Sequence, residues 1–264
     1  MVFSPDDPMS AHTHLYVVTY SNLWLSKGMR LQPTVKYPPR NTVGRLCDPR
    51  KLDLSSIRNW IACCESSHHD TCESSLADKS PPPSTPVMYI DLLDSCLVTS
   101  PTSTRYVALS YVWGGAPTLM TFRSNLEEHS QPGALIQKQD QLPKTIRDSM
   151  ILTRDLGVRY LWVDALCIVQ DDLEGKQSHL DHMPYIYESA YFTIAVVDGQ
   201  DADSGIPGVG DKPSPRSVPP QILLPSRYIP IITDHRNRMK SLQRMGVGHK
   251  PIWSTRAWTM QEQM

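Results

Sequence analysis

Glu262 and Trp258 stand four residues apart in WSTRAWTMQEQ. On a helix that spacing puts both side chains on one face. A carboxylate beside a large aromatic ring can hold ribose hydroxyls, or stabilise an oxocarbenium-like transition state as carboxylates do in glycoside chemistry. The alternative is a solvated helix glutamate. Arg256, two residues before Trp258, could meet a phosphate or the acids that follow Asp164. Asp164 itself ends the apolar run YLWVD, and the carboxyl end of a buried strand is where open α/β sheets bind ligands. Asp is equally a favoured helix N-cap, worth about 1 kcal/mol, and residues 165–170 could begin a helix after it. The capping role needs no substrate.

A third group closes the segment YVALSYVWGG: Ser110, Tyr111, Trp113 and Gly114. The glycine pair lets the backbone turn tightly and approach a ligand. An aromatic there could stack on a base, although core packing is the commoner fate of Tyr and Trp in a strand. No GxGxxG or Walker glycine pattern follows, so a nucleotide bound here is not held by a phosphate loop. Cys64, His68 and Cys72, with Cys47 upstream, supply four ligands, enough for a tetrahedral zinc site, but not at the spacing of a standard finger. The bland alternative is a linker helix with buried thiols and exposed histidines. Cys167, inside ALCIV, reads as a small inert hydrophobe without a partner base. Asp171 and Asp172 read as a loop or helix end, because no third metal ligand lies at a supporting spacing.

These residues need elements to position them. RYVALSYVWG (105–114), VRYLWVD (158–164) and YFTIAVV (191–197) have the β-branched and aromatic content of strands. The second is apolar on both faces, as in a covered parallel sheet. Residues 142–157 predict a helix with Pro143 in its first turn, buried spacing at Ile146, Met150, Thr153 and Leu156, and Gly157 as C-terminal cap. A weaker helix is expected over 179–190, with Pro184 inside its first turn, and another over 253–263. Upstream, LDLSSIRNWIACCES predicts a short amphipathic helix capped by Asp53, Ser55 or Ser56, with Ile57, Trp60, Ile61 and Cys64 on one face. The alternation of strand and helix is that of an α/β domain with a parallel sheet and helices on both faces. Residues 1–46 form a poorly specified, irregular N-terminal extension. Residues 47–104 hold the Cys/His-containing helix and a proline-rich linker, and 105–264 form the domain. Within that domain, about 198–250 reads as a loop insertion, either a lid or a disordered excursion.

Composition sets the frame. The chain has 264 residues, 40% hydrophobic and 20% charged, with a net charge of -1. That fits a globular protein with a real core and no basic footprint for nucleic acid. The N-terminus lacks a signal-type apolar region and no segment is long enough to span a membrane. A cytoplasmic location is expected, with thiols free or metal-bound rather than paired.

YVALSYVWG, LPKTIRDSMILTRDLGVRYLWVDALCIVQDD, MPYIYESAYFTIAVVDGQDADSGIPG and STRAWTMQE resemble, in order and spacing, successive blocks of the fungal heterokaryon incompatibility (HET) domain. The preceding WIACCESSHHDTC is similar to a segment often found before that domain. The sequence departs from the family pattern in three ways. No tryptophan follows the acidic pair, RAW stands where RGW is usual, and the chain stops two residues past Glu262, which reads as a truncated domain.

The HET domain in turn resembles the TIR fold, a flavodoxin-like parallel sheet, some members of which cleave NAD at the nicotinamide–ribose bond. The resemblance implies an effector of non-self recognition and programmed cell death, a form of innate immunity, that works by self-association or with other signalling domains. It also implies possible NAD glycohydrolase chemistry, with Glu262 catalytic and Ser110, Tyr111, Trp113, Gly114, Asp164, Arg256 and Trp258 around the nucleotide. A non-catalytic interaction module, or an inactive truncated relative, are the alternatives.

Overall fold

The computed structural model describes residues 48–67, 86–100, 104–115, 118–197, 199–211 and 213–216, with the backbone of three further short strands. Three strands occupy the predicted places: β4 (Tyr106–Ser110), β5 (Tyr160–Trp162) and β6 (Phe192–Ala195). β4 lies parallel between the other two, with Tyr106 opposite Tyr160 on one side and Val107 opposite Phe192 on the other. Every residue of β4 and β6 is buried. Successive strand side chains point to opposite faces, so both faces of the sheet are covered.

The sheet is six-stranded in the order β1-β6-β4-β5-β2-β3. β1 (Tyr16–Val18), described by backbone only, adds parallel to β6. β2 (Met88–Asp91) and β3 (Cys96–Thr99) form a hairpin, and β2 runs antiparallel to β5. The α/β class holds, but the expected all-parallel sheet is a mixed one. The hairpin was missed because its turn, residues 92–95, carries neither glycine, proline nor asparagine. Ser95 takes the left-handed conformation instead, with φ 51°. Asp91 replaces the usual turn chemistry. It is 2% exposed, accepts the N–H groups of Leu93 and Asp94, and takes both Nε and Nη2 of Arg159 at 2.6–3.0 Å. Burial alone would raise this carboxyl, but Arg159 and the two backbone donors outweigh it and hold Asp91 below the usual range.

Helices follow from the apolar spacing. α1 (Leu54–Ser67) starts on Asp53, whose carboxylate accepts the N–H of Ser55 and Ser56. It buries Ile57 and Ile61 and leaves Trp60 47% exposed. α2 (Leu126–His129) and α3 (Ala134–Gln137) are short and precede the main crossover helix α4 (Lys144–Asp155). Pro143 is the cap residue of α4 rather than part of its first turn, and Ile146, Met150 and Thr153 are buried as their spacing predicts. Gly157 follows with φ 84°.

α5 (Asp164–Cys167) is a single turn after β5. The helix expected over 179–190 is two helices, α6 (Leu173–Asp181) and α7 (Met183–Glu188). Pro184 explains the break, since it fits a first turn but cannot continue a preceding helix. α7 packs on the sheet: Tyr187 meets Trp162 edge-on at 5.8 Å, and Tyr106 donates its hydroxyl to the Ile186 carbonyl. A separate two-stranded pairing joins β7 (Gln221–Leu224) to β8 (Arg227–Pro230). Among the described residues no helix is long and apolar enough to cross a membrane.

Candidate functional site

The loops leaving the carboxyl ends of β4, β5 and β6 converge. Trp113, three residues past β4, donates its indole N–H to Asp164 Oδ2 at 2.8 Å. Asp164 Oδ1 accepts the N–H of Ala165 at 2.8 Å, and the Asp164 carbonyl accepts from Gln170 Nε2. Two residues singled out separately in the sequence are therefore hydrogen-bonded across the ends of adjacent parallel strands. Asp164 is the first residue of α5, with Val163 at the cap position, so it stands one step later than a capping acid.

The chain order reverses around β4, since β5 lies on one side of it and β6 on the other. Ligands of open α/β sheets gather at such a switch point, outside the carboxyl ends of the strands. Here that crevice lies between β4 and β6. Gly114 borders it with φ 66°, and a Cβ placed on Gly114 would fall on the Cβ of Asp201. The backbone needs glycine there for both reasons. Ala202 donates its N–H to the Trp113 carbonyl, and Ser204 Oγ bonds Asp201 Oδ1 at 3.0 Å. The β6 loop is anchored from behind by α4. Asp148, 5% exposed, accepts Ile206 N at 2.7 Å and Lys144 Nζ at 2.6 Å.

Ala202 and Ile206 are fully buried and Val209 nearly so. The start of the expected insertion is therefore core structure and not a lid over it. Its shortness of regular structure reflects glycines 205, 208 and 210, all at positive φ.

The sequence model described as "Heterokaryon incompatibility protein (HET)" matches residues 106–262. The chain belongs to the HET family. A relative, "Heterokaryon incompatibility protein 6, OR allele" of Neurospora crassa, is 33% identical over 112 residues, 40% of this chain and 16% of that protein. The chain thus spans a small part of that relative's length. No solved structure matches the chain.

Within this HET domain the predicted residues divide. Trp113, Gly114 and Asp164 come together at the strand ends. Ser110 and Tyr111 are adjacent in sequence but 1% and 2% exposed, inside the core beneath that edge. Arg256, Trp258 and Glu262 lie outside the described residues, as do Cys47, His68 and Cys72. Cys64 is half-buried on α1, and the described residues contain no group of three or more potential metal ligands. Cys167 is fully buried, its thiol pushed up to about 12 by burial, so no thiolate forms near neutral pH. Asp172 caps α6 through Gly175 N and pairs with Arg123 at 2.9 Å, and Asp171 accepts Arg123 N. The acidic pair is a helix end, as read.

Sequence reasoning missed Asp201 and Ser204. Their signal was DGQDADSGIPG, a run dense in turn-forming residues directly after a buried strand. A separate cavity of about 480 Å³ along α6, lined by Leu173, Gln177 and His182 among others, shares none of these residues.

Proposed function

We propose that this chain is a HET-domain unit acting in fungal non-self recognition and programmed cell death, with the carboxyl ends of β4, β5 and β6 as its working end. The observation that carries this placement is the Trp113–Asp164 hydrogen bond beside the β4–β6 crevice. The ligand we assign to it is an NAD-type nucleotide, on the strength of the resemblance to nucleotide-cleaving TIR domains. The partly buried indole of Trp113, packed against the core, offers an edge for stacking, and the open backbone at Gly114 allows close approach.

In this reading Glu262 serves the ribose. Water adds to the anomeric carbon as the bond to nicotinamide breaks, releasing ADP-ribose, nicotinamide and a proton. The carboxylate stabilises the positive charge that builds on the sugar. The test is nicotinamide release from NAD by the full chain, beside Glu262→Ala. The expected result is a loss on the order of 10²-fold in the variant. Equal turnover by both proteins rejects Glu262 as the catalytic group.

The burial of Ser110 and Tyr111 favours a second reading, a non-catalytic module that signals by docking. No NAD turnover by the unaltered chain, with concentration-dependent self-association in sedimentation, would select it.

A further inference from the structure

We propose that His129 is an acid-sensitive latch on the loop that carries Asp164. His129 ends α2 and is fully buried. Its Nδ1 shares a hydrogen bond with Thr121 Oγ1 at 3.2 Å. Thr121, also fully buried, grips the segment after Asp164 from both ends: its N–H donates to the Ala165 carbonyl and its carbonyl accepts Gln170 N at 2.8 Å. A parallel bridge to Val169 completes the grip. The imidazole therefore holds a residue that ties both ends of residues 165–170 to the segment before α2.

Protonating the ring makes both nitrogens donors. Nδ1 keeps Thr121, but buried Nε2 has no hydrogen-bond partner among the described residues. A charged donor buried without an acceptor is costly, so the ring gains its proton most readily when the latch opens. The surrounding charges do not reverse this. Lys138 opposes the proton and Glu128 favours it, and the two pair with each other at 2.8 Å. β3, which packs on α2, brings Cys96, a thiol raised by burial and so neutral. On the loop side the Asp164 carboxylate is engaged by Trp113, and Arg123 is paired with Asp172.

Burial holds His129 below its ordinary value of 6.5, with Lys138 adding to the effect. The closed latch is thus favoured above that value and weakened as pH falls through it. If the ring stays neutral when closed, opening becomes about tenfold more favourable between pH 7.5 and 5.5. The effect on any ligand rests on the strand-end reading given above, whereas the latch itself does not.

The experiment is hydrogen exchange on the full chain at pH 7.5 and 5.5, corrected for intrinsic rates. Peptides covering 118–123 and 164–171 should lose protection at pH 5.5, by up to about tenfold, while the β2–β3 hairpin holds. In His129→Gln, which cannot titrate, the pH dependence should vanish. Unchanged protection at pH 5.5, or the same loss in His129→Gln, overturns the latch. Should that variant fail to fold, an NMR titration of the unaltered protein decides: His129 must titrate below 6.5, and a value at or above it overturns the proposal. A chain inactive on NAD that still shows the pH-dependent exchange keeps the latch and removes only the catalytic reading.

Discussion

At the scale of single residues, Trp113 and Asp164 pose the sharpest question, because their hydrogen bond serves equally to hold two strand ends together and to shape a site. The indole N–H donates to an ionisable carboxylate at 2.8 Å, and bonds of that kind contribute about 1.5–3 kcal/mol when partly buried. Trp113→Phe should therefore lower unfolding free energy by about 1–3 kcal/mol in urea denaturation, near the lower figure if water replaces the indole. Asp164→Asn keeps an acceptor facing the indole and should stay within about 1 kcal/mol of the parent. A Phe variant as stable as the parent would show that the bond does not hold the β4 and β5 ends. An Asn variant that is stable but altered in ligand binding would show that the charge matters beyond the bond. Asp164 was legible as an acid at a strand end. Its partner was not, since nothing in a sequence pairs residues 51 positions apart.

At the scale of elements, the loop after β6 is held by α4 rather than by regular structure of its own. Asp148 sits one helical turn after Lys144 and accepts from it and from Ile206 N. Gly205 N–H adds a further bond, donating to the Thr145 hydroxyl oxygen at 3.0 Å. Asp148→Ala removes the acceptor of a buried N–H and leaves the Lys144 ammonium without its partner, which should cost about 2–4 kcal/mol. Equilibrium denaturation checks this, and a change below about 0.5 kcal/mol would mean water replaces the carboxylate.

The same comparison explains what the sequence could and could not specify. Strands β4, β5 and β6 and helix α4 were legible because their apolar period is undiluted and Pro143 and Gly157 punctuate them. The β2–β3 hairpin was not, because Ser95 supplies a left-handed turn residue that composition does not announce. The 199–210 loop read as an excursion because glycine and proline dominate it, yet its carbonyls and N–H groups are bound by α4 and Trp113. Long-range anchoring overrode local composition.

At the scale of the whole molecule, the family match begins at residue 106, but the structure that supports it begins earlier. Ile57 and Ile61 of α1, Tyr89 and Ile90 of β2 and Leu97 of β3 all lie in the main core. The segment before α1 is also tied to the far side of the loop after β6, through Leu52 N to Gly208 O and Arg216 N to Pro49 O. Removing residues 1–103 would expose the β5 edge, strip Arg159 of Asp91 and uncover the core residues facing α1 and the hairpin. Five buried side chains at about 1.5–3 kcal/mol each amount to roughly 7–15 kcal/mol, which equals the whole stability of an ordinary domain. A fragment of residues 104–264 should therefore show no cooperative thermal transition and little near-ultraviolet circular dichroism, where the full chain shows both. A fragment that melts cooperatively would mean that the parallel strands and α4 suffice. The hairpin and α1 would then be additions to the HET core, where the buried contacts make them part of it.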